Sequence, residues 1–227
     1  MTTAAVRPAG LGFLWTLPGV YAPQADTRLL ARALRAEGVM ADMDVLDVCT
    51  GSGALAVLAA RMGARVSATD ISRRAVMSAR FNAARAGQRV QVRRGDLSAP
   101  WSGQTFDVVV SNPPYVPARR TRPPVWGRAR AWDAGHDGRH VVDRISAHAP
   151  ALLRPQGVLL MVHSSLCGAE TTLRQLSAAG LTCSVTDRAY VPFGRVLTQR
   201  LPWLRDEGLI GAREDKEELV VIRAERS

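Results

Sequence analysis

Short apolar runs and helical patterns alternate along most of this chain, and the alternation limits the folds that it can adopt. Strands are predicted at residues 45–49, 65–69, 90–93, 106–111, 158–163, 181–185 and 219–222. Helices are predicted at residues 24–37, 54–62, 72–86, 139–147 and 169–179. Strands and helices in regular succession favour a parallel sheet with right-handed crossovers. We therefore expect an α/β fold with a mostly parallel seven-stranded sheet and helices on both faces.

The length of 227 residues predicts a single domain with a sizeable core. Residues 1–18 form an N-terminal extension ahead of the first predicted helix, for which Asp26 is the expected cap. Residues 116–138, rich in Arg, Pro, Gly and Trp, are predicted to be irregular. The polar residues 186–218 are too many for a hairpin turn and are predicted to be irregular as well. Both segments are expected on the substrate side.

Membrane, secreted and metal-binding classes are not indicated. No run approaches the roughly 18 to 20 uninterrupted apolar residues of a membrane helix, and glycine and proline interrupt the apolar N-terminal stretch. Three widely spaced cysteines favour neither a disulfide framework nor a zinc site, and the four histidines lack metal-ligand spacing. We expect a cytoplasmic protein that needs no metal ion.

Positive charge is the strongest compositional bias. Thirty Lys and Arg residues against twenty Asp and Glu give a formal net charge of +10, and Lys216 is the only lysine. Such a charge suits a polyanionic partner such as RNA, DNA or a ribosomal complex. It is also typical of proteins with a general bias to Arg, Ala, Gly and Pro. The local concentrations at residues 73–74, 93–94 and 119–130 leave both interpretations open.

Three of the predicted strands end on residues suited to a nucleotide-like ligand, which in open α/β sheets lies beyond the carboxyl ends of the strands. The first contains Asp47 and leads into a turn with Gly51 and Gly53, where the backbone and a helix N-terminus can approach a ligand. Asp70 can accept both ribose hydroxyls and Asp96 the adenine amino group. Either aspartate could also serve a local turn or cap, but their combination with the glycine turn favours a ligand site.

The fourth strand ends at Asn112-Pro113-Pro114-Tyr115, the most specific motif in the chain. Consecutive prolines hold the backbone rigidly. The side-chain oxygen of Asn112 and the carbonyl of Pro113 then form two fixed acceptors, which suit the two hydrogens of an amide or an exocyclic amine. Tyr115 offers a flat face for a planar substrate. A proline turn with a buried tyrosine is the structural alternative.

Together these motifs resemble class I S-adenosylmethionine-dependent methyltransferases, and more closely the HemK/PrmC glutamine methyltransferases. Residues 20–27 and 131–139 are similar to segments of the short branch of that family, which lacks the N-terminal helical domain. The resemblance implies a Rossmann-like class I methyltransferase fold and S-adenosyl-L-methionine as cofactor. It also implies N5-methylation of a glutamine in a translation release factor.

The resemblance assigns roles to individual residues. Cofactor contacts are expected from Thr27, Asp47, Gly51, Gly53, Asp70, Asp96, Leu97 and Asn112. Catalytic roles are expected from Asn112, Pro113, Pro114 and Tyr115. Cys49 replaces the family's first glycine of the turn and is expected to crowd the methionine end of the cofactor.

Partners are implied less directly. Because the family's helical recognition domain is absent, residues 119–130 and 186–218 are the expected substitutes for substrate recognition. The short branch implies a small zinc-binding activator subunit as a partner, besides the release factor.

Other functions remain open from the sequence. The same four residues and the positive charge suit N6-adenine methylation of RNA or DNA, with the base turned out of its stack. The chain could also be a cofactor-binding subunit with weak activity that holds nucleic acid, or a small-molecule methyltransferase. The resemblance implies direct, in-line methyl transfer that needs no strong base beforehand. Consistent with this, the sequence shows no Ser/His/Asp or Cys/His constellation.

Overall fold

The computed structural model describes residues 4–6 and 11–227, and within them nine strands and six α-helices occur. The strands are β1 (Ala4–Val6), β2 (Leu14–Thr16), β3 (Asp44–Val48), β4 (Arg65–Asp70), β5 (Val90–Arg94), β6 (Phe106–Ser111), β7 (Leu153–Ser164), β8 (Leu181–Pro192) and β9 (Lys216–Arg226). The helices are α1 (Ala25–Ala36), α2 (Ala54–Arg61), α3 (Arg73–Arg85), α4 (His140–Leu152), α5 (Ala169–Ala178) and α6 (Arg195–Asp206).

Seven strands form one sheet in the order β5-β4-β3-β6-β7-β9-β8. The strands from β5 to β7 are parallel, and only β9 runs antiparallel to its two neighbours β7 and β8. From β3 the chain winds outward through β4 to β5, and then returns to the other side of β3 with β6. The order of winding therefore reverses between β3 and β6, which is where open α/β sheets form their ligand crevice. The expected mostly parallel seven-stranded α/β fold is confirmed.

The core lies on the central strands because a parallel strand is covered on both faces. Leu46 of β3, Val109 of β6 and Leu159 of β7 have no exposed surface. The helices are tied to the sheet by local signals that the sequence carries. Ser72 caps α3 by accepting a hydrogen bond from the backbone N–H of Ala75 at 3.4 Å, as its residue type favours.

Two predictions about local structure are wrong. Asp26 does not cap α1, because the helix begins at Ala25 and Asp26 turns inward from its first turn, where it is buried. Residues 186–218 are not irregular, since β8 continues to Pro192, α6 follows, and β9 begins at Lys216. Exposed and half-buried residues alternate along β8, as on an edge strand with one covered face. Because many of its residues are polar, the sequence pattern did not indicate a strand beyond residue 185.

The other irregular segment and the N-terminal extension hold little regular structure. Residues 116–138 contain a short 3-10 helix (Arg128–Ala131) and an isolated bridge between Val116 and Asp133. Within the extension, β1 and β2 pair antiparallel, while residues 1–3 and 7–10 lie outside the described part of the chain. No helix among the described residues is long and apolar enough to cross a membrane.

Candidate active site

A cavity of about 970 Å³ opens at the carboxyl ends of β3, β4 and β6. This volume lies at the upper end of the usual range of ligand sites, about 300–1,000 Å³. The structure brings nearly all the predicted site residues to its wall: Thr27, Asp47, Gly51, Asp70, Asp96, Leu97, Asn112, Pro113, Pro114 and Tyr115. Gly53 is the one predicted contact that does not line it. A Cβ at Gly53 would come within 2.9 Å of the Cα of Ala79, so this glycine allows α2 to pack against α3.

Asp47 stabilises the glycine turn from inside the protein. Its Oδ2 accepts hydrogen bonds from the hydroxyl of Thr50 at 2.6 Å and from the backbone N–H of Ala56 at 3.1 Å. Burial raises the pKa of Asp47 to about 7. Gly51 has a φ of +55°. The atoms nearest to a Cβ placed there would be the carbonyl oxygens of Cys49 and Tyr21, both 4.0 Å away. The turn therefore presents open backbone to the cavity.

Cys49 has an unusual backbone conformation for a residue with a side chain. Its φ is +61°, in the left-handed region that favours glycine. The thiol lines the cavity, and burial raises its pKa well above the usual value. The position that carries a glycine in the resembling family therefore needs a glycine-like conformation here too, and the Cys49 side chain occupies part of the cavity wall.

Asp70, at the end of β4, bonds to the glycine turn after β3 and to the start of α3. Its Oδ2 accepts from the backbone N–H of Gly51 at 2.9 Å and its Oδ1 from that of Ser72 at 2.8 Å. Burial raises the pKa of Asp70, while these two hydrogen bonds and the charge of Arg130 oppose the rise. The backbone N–H of Ile71 also bonds to this carboxylate. The carboxylate is therefore held in place at the cavity wall with acceptor capacity left for a ligand hydroxyl, as expected for the ribose of S-adenosylmethionine.

Asp96 has a partner that the sequence did not suggest. Arg144 of α4 donates to both of its oxygens, at 3.2 and 2.7 Å. This pairing, with the guanidinium as the largest cause, lowers the pKa of Asp96. The carboxylate therefore stays ionised beside Leu97, and its spare lone pairs can still accept an amino group. Nothing local could have indicated Arg144, because it lies 48 residues away in the chain.

The Asn112–Tyr115 segment, here called the catalytic loop, is anchored from behind. The side-chain amide of Asn112 donates to the hydroxyl of Thr27 at 3.1 Å, and the phenol of Tyr115 donates to Asp26 at 3.0 Å. The carbonyl of Tyr115 accepts from the thiol of Cys167 at 3.0 Å. Tyr115 is only 8% exposed. Its phenol therefore anchors the loop, and because Tyr115 also lines the cavity, stacking of a substrate on its ring stays a prediction.

The expected acceptor side of the cavity is lined by residues 122–128 and 130–132, which belong to the arginine-rich residues 119–132, here called the lid. No residue of 186–218, and so none of α6, lines the cavity. Trp126 at the tip of the lid is 85% exposed. Below it, Arg200 of α6 forms an ion pair with Asp133 at 2.6 Å and donates to the carbonyl of Pro117 at 2.7 Å. Helix α6 therefore supports the segment that directly follows the catalytic loop, a role that the sequence did not reveal.

Of the four histidines, His140 lines the cavity, while His163 and His136 lie outside its wall. His163 is buried, its Nδ1 is 2.8 Å from the carbonyl of Ser164, and burial lowers its pKa to about 4. His136 lies 3.4 Å from a carboxylate oxygen of Glu207. In the described part of the chain no group of three or more His, Cys, Asp or Glu side chains is placed to hold a metal ion.

A seven-stranded sheet with one antiparallel strand, a glycine turn, an aspartate at the end of the next strand and an Asn-Pro-Pro-Tyr loop together define a class I methyltransferase. The profile of the family described as methyltransferase small domain matches residues 12–129, about half of the chain. The chain belongs to this family. It is an S-adenosylmethionine-dependent methyltransferase, in agreement with the fit of the cavity wall to that cofactor.

Its relatives include glutamine methyltransferases. A protein of Methanocaldococcus jannaschii, provisionally named a protein N5-glutamine methyltransferase, is 32% identical over 181 residues, which are 79% of this chain and 90% of the relative. A release factor glutamine methyltransferase of Geobacter sulfurreducens is 38% identical over 179 residues, 75% of this chain and 62% of the relative. The chain thus spans less than two thirds of that longer protein.

Solved structures agree on the fold. The Mtq2–Trm112 complex of E. cuniculi, described as responsible for the methylation of the termination factor eRF1, matches with a TM-score of 0.62 and 25% identity over 92% of this chain and 99% of that one. The T. thermophilus 16S rRNA N2 G1207 methyltransferase, in complex with AdoMet and guanosine, matches with a TM-score of 0.65. Its identity is 22%, over 100% of this chain and 50% of that one.

Proposed function

We propose that this methyltransferase modifies the side-chain amide nitrogen of a glutamine in a protein, and that the protein is a translation release factor. The observation that carries the proposal is the catalytic loop at the cavity wall, where Asn112 and Pro113 offer two acceptors for one NH2 group. Relatives named as glutamine methyltransferases support the choice of an amide over an amine.

The site residues act by holding the acceptor group. S-adenosylmethionine supplies an electrophilic methyl group on its sulfonium. We assign its binding to Thr27, Gly51, Asp70, Asp96 and Leu97, with Asp47 and Gly53 supporting the turn from behind. An amide nitrogen is a weak nucleophile, because its lone pair is delocalised. The Oδ1 of Asn112 and the carbonyl of Pro113 accept its two hydrogens, orient the nitrogen and favour the positive charge that develops there.

The neighbouring residues support the two acceptors. Pro114 makes the backbone of the loop stiff, and Tyr115 anchors it to the protein. No general base is needed before transfer, because the proton becomes acidic only once the nitrogen carries the methyl group. The proton then leaves to water.

The expected partners are the release factor and a small activator subunit. The activator is proposed by analogy with the E. cuniculi complex. Met77 and Phe81 on α3 are 61% and 52% exposed, and they offer apolar surface that such a subunit could cover. A release factor substrate also places the protein in the cytoplasm.

Methylation of adenine in nucleic acid is the second candidate, because the lid is basic. Arg119, Arg120, Arg122 and Arg128 are exposed in and beside the lid, and an adenine amino group also offers two hydrogens. A ribosome-bound protein substrate would profit from the same charge, so the lid alone does not decide between the two acceptors.

The deciding experiment offers purified release factor and an adenine-containing oligonucleotide side by side, each with S-adenosylmethionine. Mass spectrometry then locates the added methyl group. We expect one methyl on a glutamine side chain of the protein. An acceptor protein with that glutamine replaced by asparagine is the control and should remain unmodified. Methylation of the oligonucleotide alone would overturn the protein-glutamine proposal in favour of the second candidate.

A further inference from the structure

Asp26 is a buried carboxylate at the centre of a hydrogen-bond network behind the catalytic loop. It is 2% exposed. Its Oδ2 accepts from the phenols of Tyr21 at 2.7 Å and Tyr115 at 3.0 Å. Its Oδ1 accepts from the hydroxyl of Thr27 at 3.2 Å and from the backbone N–H of the same residue at 2.5 Å. The side chain thus gathers four donors although it is almost fully buried.

All four groups that bond to Asp26 are donors, so its side chain serves as an acceptor. Burial, and then the negative charge of Asp26, raise the pKa values of Tyr21 and Tyr115, so both phenols keep their protons and donate. Burial raises the pKa of the neighbouring Glu217 to about 7, and the charge of Asp26 adds to this rise. Four donors around one carboxyl group are the arrangement that an accepting carboxylate takes.

The direction of the hydrogen bonds follows from this arrangement. A carboxylate only accepts, so the single hydroxyl proton of Thr27 is donated to Asp26. The oxygen of Thr27 can then only accept from its other neighbour, which is the side-chain amide of Asn112 at 3.1 Å. The NH2 group of Asn112 must therefore face Thr27, and its Oδ1 is turned the other way.

We propose that Asp26 and Thr27 are positioning residues that orient the Asn112 amide so that an acceptor oxygen, and not an NH2 group, meets the substrate. The inference rests on the proposed function, in which the substrate brings an NH2 group. If the side-chain amide of Asn112 were rotated by 180°, its NH2 group would face the NH2 group of the substrate, and neither could accept a hydrogen bond from the other. Asp26 and Thr27 thus select for substrates that donate two hydrogens. This role is separate from any contact that Thr27 makes with the cofactor.

The structural test uses the fact that Asn82 and Asn112 are the only two asparagines of the chain. Protein labelled with ¹⁵N-asparagine should show two pairs of side-chain amide signals, and Asn112→Ala identifies the Asn112 pair by its loss. Asn82 donates to the carbonyls of Trp15 and Ser52 and is the internal reference. Thr27→Val should shift the Asn112 pair and speed its hydrogen exchange, with the Asn82 pair unchanged. An unchanged Asn112 pair would overturn the inference.

The kinetic test uses single-turnover transfer at saturating cofactor. We expect Thr27→Val to slow transfer about 10- to 100-fold, as the loss of one oriented group does, and Thr27→Ser to restore most of it. Thr172→Val is the matched control, because this buried hydroxyl accepts from Arg139 and lies outside the cavity wall. It should stay within several-fold of the parent.

The two substitutions must also be coupled. In an Asn112→Ala background, Thr27→Val should slow transfer no further, since the group that it orients is gone. Equal slowing in both backgrounds would show that Thr27 acts through the cofactor or the fold and would overturn the inference. The amide signals need no substrate. If release factor is not methylated, the proposed function fails, while the orientation of Asn112 is still decided by those signals.

Discussion

The proposed cofactor side and the proposed acceptor side of the cavity are built by different kinds of interaction. On the cofactor side, Asp47 and Asp70 each bond to backbone N–H groups within the strand ends and turns that they join. On the acceptor side, the shape depends on side-chain contacts between distant segments, such as those of Arg200 with Asp133 and with the carbonyl of Pro117.

The difference separates what is constant in such a site from what can vary. Hydrogen bonds from backbone N–H groups hold the carboxylates of Asp47 and Asp70, whatever the surrounding side chains are. An acceptor side held by ion pairs and by the small apolar cluster of Leu197, Trp203, Leu204 and Ile210 can change with α6 and the lid. We infer that one cofactor site can serve different acceptors when those elements are replaced.

The largest effect is expected at the boundary of the two sides. Asn112→Ala removes an acceptor that orients the substrate amide, so transfer should slow about 100- to 1,000-fold. Cofactor affinity, measured by calorimetry, should stay within several-fold, because Asp70 and the glycine turn are untouched. Single-turnover kinetics with saturating cofactor provide the rate. A variant that transfers at close to the parent rate would mean that the loop does not orient the acceptor through this side chain.

A smaller but clear loss is expected on the cofactor side. Asp70→Ala removes hydrogen bonds to the ribose, each worth about 1.5–3 kcal/mol when charge-assisted, so calorimetry should show cofactor affinity lowered by about 10- to 100-fold or more. Asp206→Ala, an exposed residue at the end of α6, is the control. The ribose assignment fails if a folded Asp70→Ala protein binds the cofactor as tightly as the parent.

The same contrast explains which features could be predicted from the sequence. The strand ends, the Ser72 cap and the catalytic loop follow from neighbouring residues, and their placement could be predicted. Asp26 fits a capping pattern locally, but contacts with Tyr21 and Tyr115 override it. The burial of Tyr115 could not be predicted, because it cannot be seen in a motif.

Distant contacts left even less trace in the sequence. The pairing of β8 with β9 connects residues up to 45 positions apart, from Leu181 to Arg226, and it orders a polar strand that local patterns conceal. Arg144 and Arg200 look like any of the thirty basic residues until the fold brings them to their aspartates.

A moderate effect confined to the acceptor side is expected from Arg200→Met. The change breaks the contacts with Asp133 and with the carbonyl of Pro117 and leaves a buried carboxylate without its partner. Denaturant unfolding should show a loss of about 1–3 kcal/mol. Transfer should fall several-fold at unchanged cofactor affinity. Arg188→Met on β8, which breaks the exposed pair with Glu218, should lower the free energy of unfolding much less, because solvent screens that pair. Equal losses for both variants would contradict a special role for α6.

The smallest effect concerns Cys49, where the cofactor side carries local strain. Because its φ is +61°, glycine should be tolerated better than alanine, and Cys49→Gly should be more stable than Cys49→Ala by about 1 kcal/mol. At Cys183 in β8 the order should reverse, since glycine weakens a strand by about 0.5–1 kcal/mol relative to alanine. Denaturant unfolding of the four variants measures both differences. Cofactor affinity should be retained in Cys49→Gly, because removing the side chain only widens the cavity. If alanine were preferred at both positions, the turn would carry no strain at Cys49, and the glycine-like conformation would not be what this position requires.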